Sequence, residues 1–266
     1  MTAAEPLAGW RIGSEPYYRP RGDEREHFEA AWSRRLPLLL KGPTGCGKTR
    51  FVEHMAWRLG RPLVTVACNE DTTAGDLLGR WLLDAQGTRW QDGPLTLAAR
   101  HGAICYLDEI VEARPDAVVA IHPLTDGRRA LPLDRSSELV RAHADFMLVA
   151  SYNPGGSREL RPATRQRFCG LAFGYPEAED EAQILMREGG VDVEMASALV
   201  ALGRRTRRLA GQGLEEGAST RMLVRAAQLV RQGLPPHAAC MAALAVPLSD
   251  DEALQEALAA AVHAAF

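Results

Sequence analysis

An apolar run, Leu36 to Leu40, passes directly into Lys41-Gly42-Pro43-Thr44-Gly45-Cys46-Gly47-Lys48-Thr49, and no other stretch restricts the possible folds of this chain as strongly. The pattern is G-x-x-x-x-G-K-T. Its glycines let the backbone turn so tightly that successive N–H groups point inward at a polyphosphate. Gly42, Pro43, Thr44, Gly45, Cys46, Gly47, Lys48, Thr49 and the adjoining Arg50 are therefore the candidate nucleotide-binding residues. Lys48 would reach the outer phosphates of ATP, and the Thr49 hydroxyl would ligate Mg2+. Such a turn works only between a strand and a helix. Phe51, Val52, Met55, Ala56 and Leu59 recur at helical spacing until Gly60 ends the pattern, so the helix is present, and its N-terminus adds positive potential.

A second apolar strand, Ile104-Cys105-Tyr106-Leu107, ends in the adjacent acids Asp108 and Glu109. A carboxylate at a buried strand end beside the phosphate loop is where Mg2+ needs its second protein contact, which assigns Asp108 to the metal with Thr49. Glu109, one residue further out, can polarise a water for attack on the γ-phosphate. A third strand, Leu148 to Tyr152, delivers Asn153, a neutral amide able to hold that water without adding charge; a turn-forming Asn-Pro is the other reading of the same residues.

Strand candidates at Leu36 to Leu40, Leu63 to Ala67, Ile104 to Leu107, Phe146 to Ser151 and Leu171 to Phe173 alternate with helical periodicity. That alternation predicts an α/β fold, a five-stranded parallel sheet covered on both faces with ligand at the carboxyl ends of its strands. From Ala178 the periodicity is wholly helical. The expected organisation is a nucleotide-binding α/β domain over residues 1–176, with insertions near 82–93 and 127–144, and an all-helical lid domain over 177–266. The first insertion reads as Gly-containing turns that interrupt a helix. The second reads as a hairpin, Arg128 to Leu133 and Glu138 to Arg141 around Asp134-Arg135-Ser136-Ser137.

Composition narrows the setting. A formal charge of -3 gives no global attraction to nucleic acid or to anionic membrane, and Arg204, Arg205, Arg207 and Arg208 read as a solvated helical face or a subunit contact. Five cysteines without a C-x-x-C pair suit reduced thiols, and no apolar run approaches the length of a membrane span. A cytoplasmic protein without membrane insertion is expected.

With these elements in order, the chain resembles the AAA+ ATPases, and among them the MoxR branch. The resemblance implies that Asn153 is the first sensor, that Arg167, before Phe168, is an arginine finger acting on the neighbouring subunit, with Arg165 as the alternative, and that Gly217-Ala218-Ser219-Thr220-Arg221 opens a lid helix carrying a second sensor, Arg221. Lys48, Glu109, Asn153, Arg165, Arg167 and Arg221 are then the catalytic candidates. A finger that completes a site in another subunit implies a homo-oligomeric ring, taken as hexameric, and such fingers are worth roughly 10³ to 10⁵ in rate.

Within that branch the chain is similar to the CbbQ/NorQ/NirQ group, on Pro16-Tyr17-Tyr18-Arg19-Pro20, residues 41 to 56, residues 102 to 114, His122-Pro123-Leu124-Thr125-Asp126 and Thr164-Arg165-Gln166-Arg167-Phe168. Members work with a partner carrying a von Willebrand factor A domain. CbbQ with CbbO strips inhibitory sugar phosphates from rubisco, and NorQ or NirQ with NorD helps mature nitric oxide reductase. Asn69-Glu70-Asp71, Gly87-Thr88-Arg89-Trp90 and Ala142-His143-Ala144-Asp145-Phe146 look more like CbbQ. The group departs from this chain after Asn153-Pro154-Gly155-Gly156, where the segment leading to the arginines is shorter here. Tyr17 and Tyr18 stand where related ATPases seat adenine, or where the chain packs under the lid. A P-loop small-molecule kinase would share the ATP and Mg2+ requirement, but it would have no use for a strand-end Asn153, a trans finger or a Gly-Ala-Ser-x-Arg lid, and Glu109 speaks for hydrolysis rather than transfer, since a kinase must exclude water.

Overall fold

The computed structural model describes residues 7–85, 87–134, 136–156, 158–211 and 214–266; Gln86 of the first insertion and Arg135 of the second lie outside them. Among the described residues the strands are β1 Leu38–Lys41, β2 Leu63–Ala67, β3 Gly79–Asp84, β4 Gly87–Asp92, β5 Ile104–Asp108, β6 Ala130–Leu133, β7 Glu138–Arg141, β8 Met147–Tyr152 and β9 Cys169–Ala172. Five of them form one sheet in the order β2-β5-β8-β1-β9, all pairs parallel. The expected five-stranded parallel sheet is therefore present. The last strand begins two residues earlier than the apolar pattern suggests, because Cys169 and Gly170 pair with Leu38 and Leu39 although both residues are exposed.

The chain divides into two compact units. One, residues 1–42 and 48–173, holds the sheet with helices α1 Glu24–Ser33, α2 Lys48–Arg58, α3 Ala74–Leu78, α4 Pro94–His101, α5 Pro115–Ala120 and α6 Pro162–Arg165. Its central strands are buried along their length (β8 entirely so), which is why they read as continuous apolar runs. A Cβ on Gly42 would lie 2.5 Å from the Phe173 carbonyl oxygen, so the close approach after β1 excludes any larger residue.

The first insertion differs from its expectation. It is an antiparallel hairpin, β3 with β4, in which Trp81 faces Trp90 edge-on at 5.7 Å; α3 stops at Leu78 and α4 starts at Pro94. Cross-strand aromatic pairing outweighed the weak apolar pattern. The second insertion forms the expected hairpin, shortened on its first strand to β6, paired with β7.

The other unit, residues 43–47 and 174–266, is helical: α7 Ala178–Ile184, α8 Val193–Arg208, α9 Thr220–Arg231, α10 Pro236–Cys240, α11 Val246–Leu248 and α12 Glu252–His263. Asp192, Ser219 and Asp251 cap α8, α9 and α12 with side-chain oxygens that accept backbone N–H groups. Leu185, Leu199, Val200, Leu202, Leu223 and Leu244 make its core. No helix among the described residues is long and apolar enough to cross a membrane.

Candidate active site

β5, β8 and β1 are adjacent, so the residues after their carboxyl ends converge. The Lys48 ammonium, with the residue only 5% exposed, donates to the Gly42 carbonyl at 2.7 Å. The Thr49 hydroxyl donates to Asp108 Oδ2 at 3.2 Å. Thr49 and Asp108 contribute one hydroxyl and one carboxylate, and among the described residues no group of three or more His, Cys, Asp or Glu is placed to hold a metal by itself. It is the oxygen-donor set that suits Mg2+, which keeps several waters and takes its remaining ligands from phosphate. Thr49 and Asp108 would hold that ion.

Glu109 has φ 55° and ψ 47°, the left-handed region, at a cost of roughly 1–3 kcal/mol for a residue with a side chain. Its N–H donates to Ser151 Oγ at 3.2 Å. Burial lifts its carboxyl above the ordinary range, opposed by the Lys48 ammonium and a hydrogen bond from the Asn153 backbone, and aided by Asp108 and Glu112. A carboxylate with a raised proton affinity, one residue beyond the metal-side acid, has the chemistry of a base for water. Asn153 is thus drawn to Glu109 by its main chain, while its side-chain Oδ1 accepts from the Gly155 N–H at 3.1 Å. The Asn153 side chain thus makes the contact of the turn-forming reading, and its backbone bonds Glu109.

Cys68 donates its N–H to the Asp108 carbonyl at 2.9 Å, and its thiol is pushed up to about 12 by burial and then by Asp108 and Glu109. It stays protonated beside the acids and offers no thiolate to a metal.

Arg165 and Arg167 lie outside this bonded cluster. Arg165 is exposed at the end of α6, whereas Arg167 is half-buried, 3.8 Å from Asp126, with its Nε lacking a hydrogen-bond partner among the described residues. Arg50 is exposed on α2 and pairs with Glu53. Tyr18 donates to Glu24 and packs on Phe51 and His54.

In the helical unit, Pro43 to Gly47 are held by residues that the sequence reading did not single out. Tyr175 donates its hydroxyl to the Thr44 carbonyl at 3.2 Å, and Thr44 Oγ1 lies 3.5 Å from Glu216. Gly45, at φ 66°, is so close to the α9 cap that a Cβ there would lie 2.6 Å from Ser219 and 3.3 Å from the Arg221 Cβ. Arg221, exposed in the first turn of α9, therefore stands beside the phosphate loop. Arg207 stacks 3.9 Å over the Tyr175 ring and is bidentate to the fully buried Glu181 at 2.7 and 2.8 Å. Of the four arginines read as a solvated face, this one is interior. Its signal was absent because its neighbours are the same residue type.

Comparison with known proteins agrees with this geometry. Residues 37–168 match the family described as AAA domain (dynein-related subfamily), and residues 181–265 match CbbQ/NirQ/NorQ C-terminal. Protein CbbQ of Hydrogenophilus thermoluteolus is 58% identical over 96% of this chain and 97% of its own. The denitrification regulatory protein NirQ of Pseudomonas aeruginosa is 57% identical over 91% and 95% respectively. A solved structure of a Thermotoga maritima RuvB variant shares the fold at TM-score 0.55, 15% identity, 88% of this chain and 67% of that one. The phosphate loop, the Asp-Glu strand end and two matches that together span most of the sequence place this chain in the CbbQ/NirQ/NorQ family of AAA+ ATPases.

Proposed function

We propose that the chain is the ATP-hydrolysing subunit of a hexameric ring, working in the cytoplasm with a von Willebrand factor A domain adaptor to remodel a protein client, and that this client is rubisco blocked by sugar phosphates. Residues 1–176 would be the AAA+ domain and 177–266 its lid. The observation that carries the motor reading is Glu109, pinned by its backbone and lifted in proton affinity, one residue beyond an aspartate bonded to the phosphate-loop threonine.

In this mechanism Lys48 and the loop N–H groups bind the triphosphate, and Glu109 takes a proton from the attacking water as its oxygen bonds to the γ-phosphorus and the bond from that phosphorus to the β,γ-bridging oxygen breaks, with ADP as the leaving group. Asn153 orients that water. Thr49 and Asp108 would hold Mg2+, which would supply charge neutralisation to the phosphates. Arg167 from the neighbouring subunit and Arg221 in the same one balance charge on the transferred group. Arg165 is the exposed arginine of the pair, so Arg165→Ala and Arg167→Ala rings compared at saturating ATP assign the finger.

The segments resembling CbbQ and the 58% identity to that protein support rubisco as client. The near-equal identity to a protein named for denitrification supports nitric oxide reductase, through a NorD-like adaptor, as the second reading. The test is recovery of sugar-phosphate-inhibited rubisco by the chain, its CbbO-like adaptor and ATP, with Glu109→Gln as control. Recovery that needs ATP and Glu109 supports the rubisco reading. Adaptor-stimulated ATP hydrolysis without recovery moves the client to nitric oxide reductase, and hydrolysis by Glu109→Gln at the wild-type rate removes Glu109 from its role.

A further inference from the structure

A phenol in the middle of a strand buried up to its last residue has to find a polar partner, and Tyr106 is 0% exposed within β5. Its hydroxyl donates to Asp108 Oδ1 at 2.7 Å. Ser151, also 0% exposed, donates to the same oxygen at 2.5 Å. The two hydroxyls are 3.1 Å apart. This meeting follows from strand geometry. Tyr106 and Asp108 are two residues apart and so share a face of the sheet, and the register Leu107↔Ala150 brings Ser151 level with Asp108 on the neighbouring strand.

The two oxygens of Asp108 consequently have separate tasks. Oδ1 is taken by the hydroxyls of Tyr106 and Ser151, and Oδ2 faces the Thr49 hydroxyl, the side on which Mg2+ would be held. Ser151 does a further job that no apolar residue could do. While its proton goes to Asp108, its oxygen accepts the Glu109 N–H, and that bond holds Glu109 in the left-handed conformation.

We propose that Tyr106 and Ser151 are positioning residues for ATP hydrolysis: the pair fixes the orientation of the Asp108 carboxylate towards the metal, and Ser151 alone fixes the backbone from which Glu109 meets the water. The proposal rests on the reading of the site as a Mg2+-dependent ATPase. Tyr106→Phe keeps the buried ring and deletes one donor. Ser151→Ala deletes the second donor and strands the Glu109 N–H. Ser151→Thr restores both functions of the hydroxyl.

The experiment measures the Kd of a fluorescent ATP analogue with Mg2+ and with EDTA, alongside kcat and KM for ATP, on the full-length chain. In EDTA both deletion variants bind as the wild type does, because the phosphate-binding groups of the loop are unchanged and Tyr106 reaches the loop only through a 3.5 Å contact with the Thr49 hydroxyl. With Mg2+ the affinity gained from the metal shrinks, by about 10-fold or more, as for other partners that orient a metal ligand. kcat falls about 10- to 100-fold, the scale of a small misplacement of reacting groups, KM rises in step with the lost Mg2+-dependent affinity, and Ser151→Ala falls further than Tyr106→Phe. Ser151→Thr recovers most of the loss. Because the two hydroxyls serve one oxygen, the double variant loses less than the product of the single losses.

Wild-type kcat and a wild-type ratio of Mg2+ to EDTA affinity in Tyr106→Phe and Ser151→Ala would overturn the proposal while leaving the ATPase reading intact. If Ser151→Ala does not fold, Tyr106→Phe decides alone. A wild-type chain whose nucleotide affinity and turnover both ignore Mg2+ would overturn the ATPase reading, and this proposal with it.

Discussion

The two units of this chain each contain a carboxylate in a hydrogen-bonded network, and they treat it in opposite ways. In the helical unit, Glu181 is fully buried and receives a bidentate Arg207 guanidinium together with the Thr220 hydroxyl. In the sheet unit, Asp108 receives the hydroxyls of Tyr106, Ser151 and Thr49, all of them uncharged. The first arrangement cancels the charge inside the protein. The second orients a charge and leaves it available to a cation from outside. The two carboxylates are thus told apart by whether their donors carry charge, and only the one with neutral donors keeps its charge uncompensated by them.

The largest break in that comparison comes from Glu181→Ala. Removing the acid leaves Arg207 buried without its counter-charge, which costs about 3–5 kcal/mol in the unfolding free energy from a urea titration. It also loosens Tyr175, which Arg207 stacks upon and which bonds the Thr44 carbonyl, so ATP binding weakens along with stability. Equal stability of this variant and the wild type would mean that the pair is not the anchor described here.

Arg207→Lys is the next step down. The charge remains but the planar fork is lost, and with it one of the two bonds to Glu181 and the Nε bond to the Ala218 carbonyl at 2.7 Å. A loss of about 1–2 kcal/mol is expected, since each hydrogen bond to a charged group contributes on that order. Asp108→Asn should differ in kind. With neutral donors around it, the amide replaces the carboxylate at a cost to stability of about 1 kcal/mol or less, the size of a net hydrogen bond. The Mg2+-dependent part of ATP affinity, in contrast, disappears. Strong destabilisation by Asp108→Asn would erase the distinction between the two carboxylates.

What could be read from the sequence follows the same division. The phosphate loop and Asp108-Glu109 were legible because their chemistry demands fixed residue types at fixed spacing, and β5 and β8 because strands buried on both faces become continuous apolar runs. The roles of Tyr106 and Ser151 were not legible, although both were in view. Their pairing depends on the register of two strands that are roughly forty residues apart in sequence, which no local pattern encodes. Arg207 was hidden among identical neighbours, and only burial in three dimensions distinguishes it from Arg204, Arg205 and Arg208. The β3–β4 hairpin failed for a third reason. Both strands are mostly solvated, so they lack the alternating apolar face that marks a strand, and the Trp81–Trp90 contact that secures them is a pairing across the turn.

The smallest effect extends the comparison to a group that the fold keeps neutral beside a charge. His122 is hydrogen-bonded with the Thr164 hydroxyl at 3.1 Å, and burial, followed by the Arg167 guanidinium, holds its proton affinity below the ordinary histidine range. The unfolded chain takes up a proton on this histidine near pH 6.5, whereas the folded chain does so only at lower pH. Between those two points the unfolded state binds more protons, so stability falls as pH falls. The contribution is fully present above about pH 6.5 and lost as pH drops through the depressed folded value. His122→Gln, which cannot titrate, should therefore show a shallower decline of Tm than the wild type from pH 7 towards 5, with the two curves parallel above pH 7. If His122→Gln and the wild type fall together, then the imidazole is not held neutral by its place next to Arg167. The sheet unit would then handle this cation as the helical unit handles Arg207, by a charged partner, and Asp126 at 3.8 Å would be the residue to replace next.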